Sequence, residues 1–417
     1  MSGLRIVRAA QVAAPGSTSM ATGPFGSSIS SRFFRRSGVP VIRGANLSTD
    51  SSVRLSDENL VFLDPSKAAE LSRSTVRSGD LIFTCWGTIN QIGLIDESAG
   101  YNEYVISNKQ MKLTPDPSVA DSEFLYYYFS APPMQREILE GSIGSSIPGF
   151  NLTRLRSLEI ELPPLVEQKR IAEAMNDADA FIRSLERLIS KRQAIKEGMG
   201  LQLLAGHLRL PGFYGTWPAV ELSSVASGSR GSGLSKSAVV RHGSRKCLLY
   251  GELFTTYGRT IREVRSRTNA VSGVASSSGQ VLLPGSTTTV ARDLAVASAL
   301  MVDDVLIGGD VNVLSPDLRR VDPSWLAHFL TVRRKEEIAA IAQGITIVHL
   351  YVKSILRLAI PLPSLAEQQA MSAVLQDADE VLALLYKRLQ KARLIKQGMM
   401  QELLTGRTRL MSQEVSA

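Results

Sequence analysis

Cysteine and histidine are scarce in this chain of 417 residues, and long apolar runs are absent from it. The two cysteines, Cys85 and Cys247, lack the spacing of a metal site, and the four histidines are scattered along the chain. No segment approaches the roughly 18 apolar residues of a membrane span, and the start has no signal-peptide core. We therefore expect a reduced, cytoplasmic protein that has no metal site and does not enter a membrane.

Sequence motifs of catalysis are also missing. Residues 228–237 are rich in glycine, but no glycine directly precedes Lys236, as a phosphate-binding loop requires. Residues 131–134 lack the Asn or Asp that opens the catalytic tetrapeptide of amino-methyltransferases. Residues 167–169 could mimic part of a nuclease motif, but residues 367–369 repeat them without the lysine, so a role in starting a helix explains both better. The sequence argues against an enzyme, and we expect no catalytic residue.

Positive charge is in excess, with a formal net charge of +8. Residues 213–355 contain 16 basic and 11 acidic side chains, whereas residues 1–162 contain 15 and 16. A basic balance indicates a polyanionic partner only weakly, and a merely solvated basic face is an equal alternative. The densest basic stretch consists of Arg241, Arg245, Lys246, Arg259, Arg262, Arg265 and Arg267.

The chain contains one long repeat with a period of about 200 residues. Residues 163–210 align without a gap with residues 363–410, and 18 of the 48 positions are identical. Shorter matches precede them, such as residues 78–82 with 278–282 and residues 113–116 with 314–317. A unit of this size is a domain with a connecting element rather than a solenoid repeat. A chain of this length also exceeds the roughly 250 to 300 residues that one core serves.

Each copy begins with a strand-rich part, because short β-branched and aromatic runs alternate with Gly, Ser and Asn. The predicted strands are residues 39–42, 81–84, 158–162, 248–250 and 281–283. Residues 124–129 and 325–330 occupy matching places and predict short helices packed under a sheet. Near the starts, Val12-Ala13 aligns with Val225-Ala226, and Thr22-Gly23 aligns loosely with Ser227-Gly228.

The second part of each copy predicts a long helix with an apolar seam at alternating spacings of four and three. The seam residues are Ile171, Met175, Ala178, Ile182, Leu185 and Ile189, repeated as Met371, Leu375, Ala378, Leu382, Leu385 and Leu389. The first helix should span residue 165 to about residue 204. Gly206 and Gly406 suit its end and that of its duplicate, and Gly198 and Gly398 should bend or interrupt the last turns. We expect the two helices to pack antiparallel; the alternative is that each packs on its own domain.

These motifs resemble the repeated conserved region of specificity subunits of type I restriction-modification systems. The first copy reads Pro163-Pro164-Leu165-x-Glu167-Gln168 and closes with Lys196-x-Gly198-Met199-x-x-x-Leu203-Leu204-x-Gly206-x-x-Arg209-Leu210. The second reads Pro363-x-Leu365-x-Glu367-Gln368 and closes with Lys396-Gln397-Gly398-Met399-Met400-Gln401-Glu402-Leu403-Leu404-Thr405-Gly406-x-x-Arg409-Leu410. One departure is that Leu4 stands where the second copy has Trp217.

The resemblance implies an α+β fold with two strand-rich target-recognition domains separated by an antiparallel pair of long helices. The implied segments are a first recognition domain (residues 1–157), a first helical spacer (158–212), a second recognition domain (213–357), a second spacer (358–410) and a tail (411–417). Each domain would read half of an asymmetric site on double-stranded DNA, about one turn or roughly 10 base pairs apart. Two modification subunits, and restriction subunits in the full complex, would supply S-adenosylmethionine, ATP and Mg chemistry, leaving no cofactor on this chain.

Basic and amide side chains are the usual readers of base edges, and hydroxyl groups hold phosphates. The candidates in the first domain are Ser27, Ser28, Arg43, Asn46, Asn108, Lys109 and Gln110. The candidates in the second are Arg241, Arg245, Lys246, Tyr257, Arg259 and Arg262. Two alternatives stay open: a DNA-specificity factor of the same build for another nuclease or defence system, and a two-domain protein-binding scaffold with a coiled-coil spacer.

Overall fold

The computed structural model describes residues 4–140 and 149–410, so the predicted tail lies outside the described residues. The chain divides into two compact units. The first unit is Met1–Glu186 with Lys387–Ala417, and the second is Arg187–Tyr386. Each unit therefore contains the start of one long helix and the end of the other. The domain boundaries given above stay a prediction.

The first unit is a strand-rich domain with short helices. Its strands are β1 (Arg5–Arg8), β2 (Met20–Thr22), β3 (Phe34–Arg35), β4 (Val39–Ile42), β5 (Val61–Leu63), β6 (Thr75–Arg77), β7 (Leu81–Thr84), β8 (Ile92–Leu94), β9 (Glu103–Ile106), β10 (Gln110–Leu113) and β11 (Glu159–Leu162). Its helices are α1 (Pro65–Glu70), α2 (Ser122–Ser130), α3 (Pro132–Glu140), α4 (Leu152–Ser157) and the first half of α5 (Leu165–Leu204).

Two sheets organise the first unit, in the orders β2-β10-β7-β8 and β3-β5-β4-β9-β6. Strands β4 and β9 run parallel, with Ile42 opposite Ile106. The predicted aromatic helix is α2, and it is buried because its rings share a core with the four-stranded sheet. Phe129 of α2 meets Phe83 of β7 edge to face, with 5.0 Å between the ring centroids. The predictions of β4, β7 and α2 are confirmed.

The second unit has the same kind of architecture. Its strands are β12 (Ala219–Glu221), β13 (Ala226–Arg230), β14 (Val239–Val240), β15 (Arg245–Leu248), β16 (Thr260–Ile261), β17 (Arg267–Thr268), β18 (Val274–Ala275), β19 (Gln280–Pro284), β20 (Ser286–Thr287), β21 (Ser298–Leu300), β22 (Leu306–Ile307), β23 (Val311–Pro316), β24 (Val348–His349) and β25 (Ala359–Pro361). Its helices are α6 (Tyr250–Thr255), α7 (Pro323–Arg333), α8 (Lys335–Ile341), α9 (Val352–Leu356) and the first half of α10 (Leu365–Leu403).

Strand pairing confirms the repeat at the level of register. In the first unit Leu81 lies opposite Leu113, and in the second Val281 lies opposite Leu314. The second unit has sheets in the orders β13-β23-β19-β21-β16 and β14-β17-β15-β22-β18. Two strand pairs of this unit are parallel: β16 with β21, and β15 with β22, where Leu248 lies opposite Ile307. The two units therefore share a strand framework.

Two local predictions are wrong. The strand expected at residues 248–250 ends at Leu248, because Tyr250 begins α6. The match of Thr22-Gly23 with Ser227-Gly228 is out of register. Thr22 pairs with Met111, whereas the residue that pairs with the equivalent Asn312 is Arg230. Gly23 therefore corresponds to Gly231.

The long helices pack on each other in opposite directions within each unit, as predicted. In the first unit, Met175 shares a core with Met400 and Leu403; in the second, Leu375 shares a core with Leu203. The buried seam residues are Ile171, Met175, Ile182, Leu185, Ile189, Met371, Leu375, Leu382 and Leu389, while Ala178, Ala378 and Leu385 are half-buried. The seam therefore joins the two copies.

The helix ends follow the predicted glycines. Gly206 and Gly406 have φ values of +73° and +64°, a conformation that favours glycine after a helix. Both helices continue through Gly198 and Gly398, so neither is interrupted there, and the bend that was the other expectation stays a prediction. Beside Gly206 lies the Trp217 ring, at 3.2 Å from the position of a Cβ atom, and Leu4 lies in the same way beside Gly406. Leu4 thus takes the place of Trp217.

Buried glutamines attach each long helix to its domain. Gln168 and Gln368 are fully buried, and each side chain accepts one backbone hydrogen bond and donates two, as a buried amide requires. The partners of Gln168 are Asp121 N (2.8 Å), Val119 O (3.2 Å) and Pro163 O (2.8 Å). The partners of Gln368 are Asp322 N (2.8 Å), Arg320 O (2.9 Å) and Pro363 O (2.8 Å). The repeated glutamine is therefore structural.

Charged pairs join the start of each helix to the end of its duplicate. Arg409 donates to both carboxylate oxygens of Glu167, at 2.7 and 2.5 Å, and Arg209 donates to both oxygens of Glu367, at 2.6 and 3.0 Å. Such two-point contacts define geometry as well as charge. Glu167 therefore forms an ion pair that joins the start of one long helix to the segment after the other. This role accounts for the acidic residue in the segment 167–169, which resembles a nuclease motif.

Candidate nucleic-acid interface

A cleft of about 570 Å³ opens in the first unit where β4 and β9 end. We call it the first cleft. Arg43 follows β4 directly, and Asn108 and Lys109 follow β9. Because these strands are parallel, the residues after them lie at the same edge of the sheet. The structure thereby brings Arg43 together with Asn108, Lys109 and Gln110, which all lie more than sixty positions further along the sequence.

Gly23 allows this edge to close. A Cβ atom on Gly23 would lie 1.9 Å from the backbone oxygen of Ser107, far inside any real contact. The Gly23 N–H donates to the Gln110 carbonyl at 2.8 Å, which holds the turn of residues 107–110 against β2. The side chains of Asn108 and Lys109 at the tip of this turn are exposed.

A hydrogen bond to the backbone positions the Arg43 side chain at the first cleft. The Arg43 Nη2 group donates to the Asn59 carbonyl at 2.8 Å. Its Nε group is buried and has no hydrogen-bond partner within residues 4–140 and 149–410. A buried donor of this kind ordinarily has an acceptor. Because Nε is buried, an acceptor in the cleft reaches it only if the Arg43 side chain rotates.

Two of the candidates are structural residues. Asn46 is 1% exposed: its Oδ1 accepts from Arg43 N at 3.0 Å, and its Nδ2 donates to the carbonyls of Ser56 and Glu58 at 2.9 and 3.0 Å. Gln110 is fully buried at the floor of the first cleft, within hydrogen-bonding distance of the Ser107 hydroxyl. Neither side chain has a free face for a base, so we propose no base contact for Asn46 or Gln110.

The two serines lie in a neighbouring segment. Ser28 is exposed at the end of the short turn Gly26–Ser28, and the side chain of Ser27 lies outside the described residues. Ile29, directly after them, lines the first cleft. The serines thus flank the cleft in sequence, and their contact with phosphate stays a prediction.

The first cleft also contains residues that the sequence analysis missed. Trp86 is 50% exposed, and its ring lies against Gly149, where a Cβ atom would be 2.7 Å from it. Thr88 and Gln91 line the same wall. The available signal in the sequence was a tryptophan two residues after the predicted strand at 81–84 and directly before Gly87. Aromatic faces of this kind can stack on bases.

The basic candidates of the second unit fall into two groups. Arg241 is exposed, while Arg245 and Lys246 are half-buried on β15. Arg245 pairs with Asp304. Lys246 lies opposite Arg267 across the strand pair. Arg245 and Lys246 are consecutive on β15, so their side chains point to opposite faces of the sheet.

The other group lies beside the helical frame of the second unit. Arg262 donates to Gln376 Oε1 of α10 at 2.7 Å, and Arg259 lines a cavity of about 540 Å³ with Asp379 and Lys196. Burial lowers the pKa of Arg259, and the charge of Asp379 partly offsets that effect. Tyr257 accepts a hydrogen bond from Arg265 N at 3.0 Å. Arg262 and Tyr257 thus have hydrogen-bond partners, while Arg259 lies half-buried near Asp379.

A pH dependence follows from His328, which lies 2% exposed in α7. Burial lowers its pKa from 6.5 to about 4; Asp379 opposes this shift, and Lys196 and Arg259 add to it. The folded protein thus excludes a proton that the unfolded chain binds. The stability that depends on the neutral ring is complete above about pH 6.5 and declines as the pH falls towards about 4.

We expect the free energy of urea unfolding to fall more steeply between about pH 7 and about pH 5 in the unaltered protein than in His328→Gln. The exposed His242 provides a matched control, and His242→Gln should keep the original slope. Equal slopes for all three proteins would contradict the assignment.

No three His, Cys, Asp or Glu side chains come together to hold a metal ion in the part of the chain that the structure describes. Within the same residues, no helix is both long and apolar enough to cross a membrane. Cys85 is buried, and burial raises the pKa of its thiol to about 12. The thiol therefore stays protonated in the folded protein at neutral pH.

Comparison with known proteins places this fold. The chain is 23% identical over 323 residues to the type I restriction enzyme MjaVIII specificity subunit of Methanocaldococcus jannaschii, covering 73% of this chain and 75% of that one. The structure matches the HsdS subunit from Thermoanaerobacter tengcongensis with a TM-score of 0.51 at 19% identity, over 97% of each chain. It matches the S subunit of a type I restriction-modification system from M. genitalium with a TM-score of 0.59 at 14% identity, over 96% of each.

These likenesses confirm the predicted α+β fold with its coiled-coil helices. The family described as type I restriction modification DNA specificity domain matches residues 65–194 and again residues 246–393. The two matches coincide with the two copies of the repeat and together cover more than half of the chain. This protein therefore belongs to the type I restriction-modification DNA specificity family.

Proposed function

We propose that the chain reads a two-part, asymmetric sequence on double-stranded DNA for a type I restriction-modification complex, and that the first unit reads its half through the first cleft. The observation that carries the proposal is the convergence of Arg43, Asn108 and Lys109 at one sheet edge. Arg and Lys donate to guanine acceptors, and Asn can pair with adenine. The unpartnered Nε of Arg43 supports a ligand that offers acceptor atoms.

In the second unit, the proposed phosphate contacts are the basic side chains of Arg241, Arg245 and Lys246. Their support is the excess of 16 basic over 11 acidic side chains in residues 213–355. Phosphate contacts orient a domain on the duplex and make its affinity depend on salt, whereas base contacts provide the sequence preference.

The chemistry of modification and cleavage is proposed to belong to partner subunits. Two modification subunits would methylate adenine with S-adenosylmethionine, and restriction subunits would use ATP and Mg. Exposed apolar side chains on the helices support docking of other proteins, for example Val166 on α5 and Leu384 and Leu394 on α10, which are 64%, 67% and 67% exposed. Apolar side chains exposed in such number on a helix often mark an interaction surface.

The test is to purify the chain with the modification subunits encoded beside it and to map methylated adenines on genomic DNA. We expect one two-part pattern with an unspecific gap of defined length. Binding of a duplex carrying that pattern should weaken steeply as salt rises, because phosphate neutralisation releases counterions. A complex that methylates without a two-part pattern, or that does not bind DNA, would overturn the proposal.

A further inference from the structure

The second unit contains a cleft at the same place in its fold as the first cleft. This second cleft, of about 680 Å³, opens where the parallel strands β15 and β22 end. Ile42 and Ile106 are the last paired residues in the first unit, and Leu248 and Ile307 are their counterparts in the second. None of the basic candidates proposed from the sequence lines the second cleft.

Two further contacts confirm that the clefts are equivalent. A Cβ atom on Gly231 would lie 2.1 Å from the backbone oxygen of Gly308, just as one on Gly23 would lie 1.9 Å from that of Ser107. In both units, the turn after the first strand of the parallel pair, β4 or β15, contains a hydrogen bond from a backbone N–H to the side chain three residues later. Leu249 N donates to Glu252 Oε2 at 2.8 Å, matching the bond from Arg43 N to Asn46.

The side chains at equivalent positions of the two clefts differ in charge. Continuing the register from Ile106 and Ile307 by three residues aligns Lys109 with Asp310. The Asp310 carboxylate accepts a hydrogen bond from Arg230 Nη2 at 2.6 Å, and Arg230 also bonds the Gly309 carbonyl at 2.8 Å. Asp310 and Arg230 are each about half exposed, at 46% and 45% of their side chains. The first cleft thus presents an ammonium donor where the second presents an oriented carboxylate acceptor.

We infer that Lys109 and Asp310 are paired specificity-determining residues, which make the two units select unlike base pairs. Lys109 would donate to the O6 and N7 acceptors of guanine, and Asp310 would accept from the exocyclic amino group of cytosine. The shared framework places both residues at the same position of the turn after the second parallel strand, where they offer a base opposite kinds of hydrogen-bonding group. The inference rests on the proposed function, because it requires that the domains read DNA.

Other residues of the second cleft fit a DNA surface. Tyr250 is 39% exposed at the start of α6, and Lys236 is exposed opposite it. The first cleft has Trp86 exposed on its wall in a similar manner. An aromatic face and a cation beside the discriminating group are suited to contact a base and its phosphate.

The experiment uses the full chain in complex with its modification subunits and a library of duplexes randomised over the two half-sites. Asp310→Asn should lose about fivefold to a hundredfold of the preference at one base pair of one half-site, and Lys109→Gln should do so only in the other half-site. Arg73→Gln and Glu263→Gln are matched controls, because they make the same charge changes at exposed positions outside the clefts. Both should retain the original preference.

The outcomes separate the inference from the proposed function. If the unaltered complex selects a two-part site but Asp310→Asn weakens all sequences equally, the residue contacts phosphate and the inference is wrong. It is also wrong if both variants alter the same half-site or neither alters any. An unaltered complex without sequence preference would instead remove the proposed function itself.

Discussion

Replacing Asp179 by Ala is expected to lower the free energy of unfolding by about 3–5 kcal/mol, because a buried charge loses its partner. The Asp179 carboxylate accepts from Lys396 Nζ at 2.5 Å and from the Tyr127 hydroxyl at 2.8 Å, and the side chains of Asp179 and Lys396 are 3% and 9% exposed. Lys396 also donates to Ser51 Oγ at 2.9 Å. Without Asp179 the buried ammonium would keep one hydrogen-bond partner among the described residues, the Ser51 hydroxyl. Urea unfolding of the full chain measures the loss.

The repeat provides the matched control. Asp379 forms the equivalent pair with Lys196, but there the side chains are 37% and 26% exposed. Solvent screens such a pair, so Asp379→Ala should cost clearly less than Asp179→Ala, although it also removes the charge that offsets the burial of Arg259. The double variant Asp179→Ala with Lys396→Met should recover most of the loss, because no unpaired charge remains. Equal losses for the two single aspartate variants would contradict this account.

Replacing Gly23 by Ala is expected to damage both stability and DNA binding. The added Cβ atom would overlap the Ser107 carbonyl, so the turn of residues 107–110 must move away from β2. Overpacking of this kind costs about 1–3 kcal/mol. Displacement of Lys109 and Asn108 with the turn should weaken DNA binding by at least about tenfold, which corresponds to 1.4 kcal/mol. Unfolding by urea and duplex titration of the assembled complex give the two values.

Gly198→Ala is the control for this variant. A Cβ atom on Gly198 meets nothing within 4 Å, and the residue lies inside α5. Alanine there should raise the free energy of unfolding by about 0.5–1 kcal/mol, because it favours the helix. Its DNA affinity should stay that of the unaltered complex. If Gly23→Ala behaved like Gly198→Ala, the close approach of β2 to the turn would have no part in forming the first cleft.

Local patterns in the sequence predicted the long helices well. The seam spacing depends only on the 3.6-residue turn, so α5 was predicted from Leu165 to about Leu204 and the structure has it at those bounds. Short strands bounded by turn residues were also predicted, as for β4 and β7. The error at Tyr250 has the same origin, because a short apolar run suits either a strand or the start of a helix.

Individual recognition residues were harder to predict. Asn46 and Arg43 look alike as polar residues after a strand, but the partners that bury Asn46 lie ten and twelve positions further along. Arg262 belongs to a dense basic stretch, yet it contacts Gln376, which is 114 positions away. Asp310 has no basic neighbour in sequence, and only the register of β15 with β22 aligns it with Lys109. Composition cannot reveal such long-range neighbours.

The sequence by itself determined that this protein is a duplicated pair of strand-rich domains with two seam-bearing helices, because repeats and helical periodicity are readable along the chain. Tertiary structure decided that the start of each long helix contacts the segment that follows the end of the other. Glu167 pairs with Arg409, which lies 242 positions away, and Glu367 pairs with Arg209. It also decided which polar side chains face a cleft and which are buried. Both outcomes depend on strand register and antiparallel helix packing. These bring together residues that lie far apart in the sequence, and no local sequence pattern predicts which distant residues will meet.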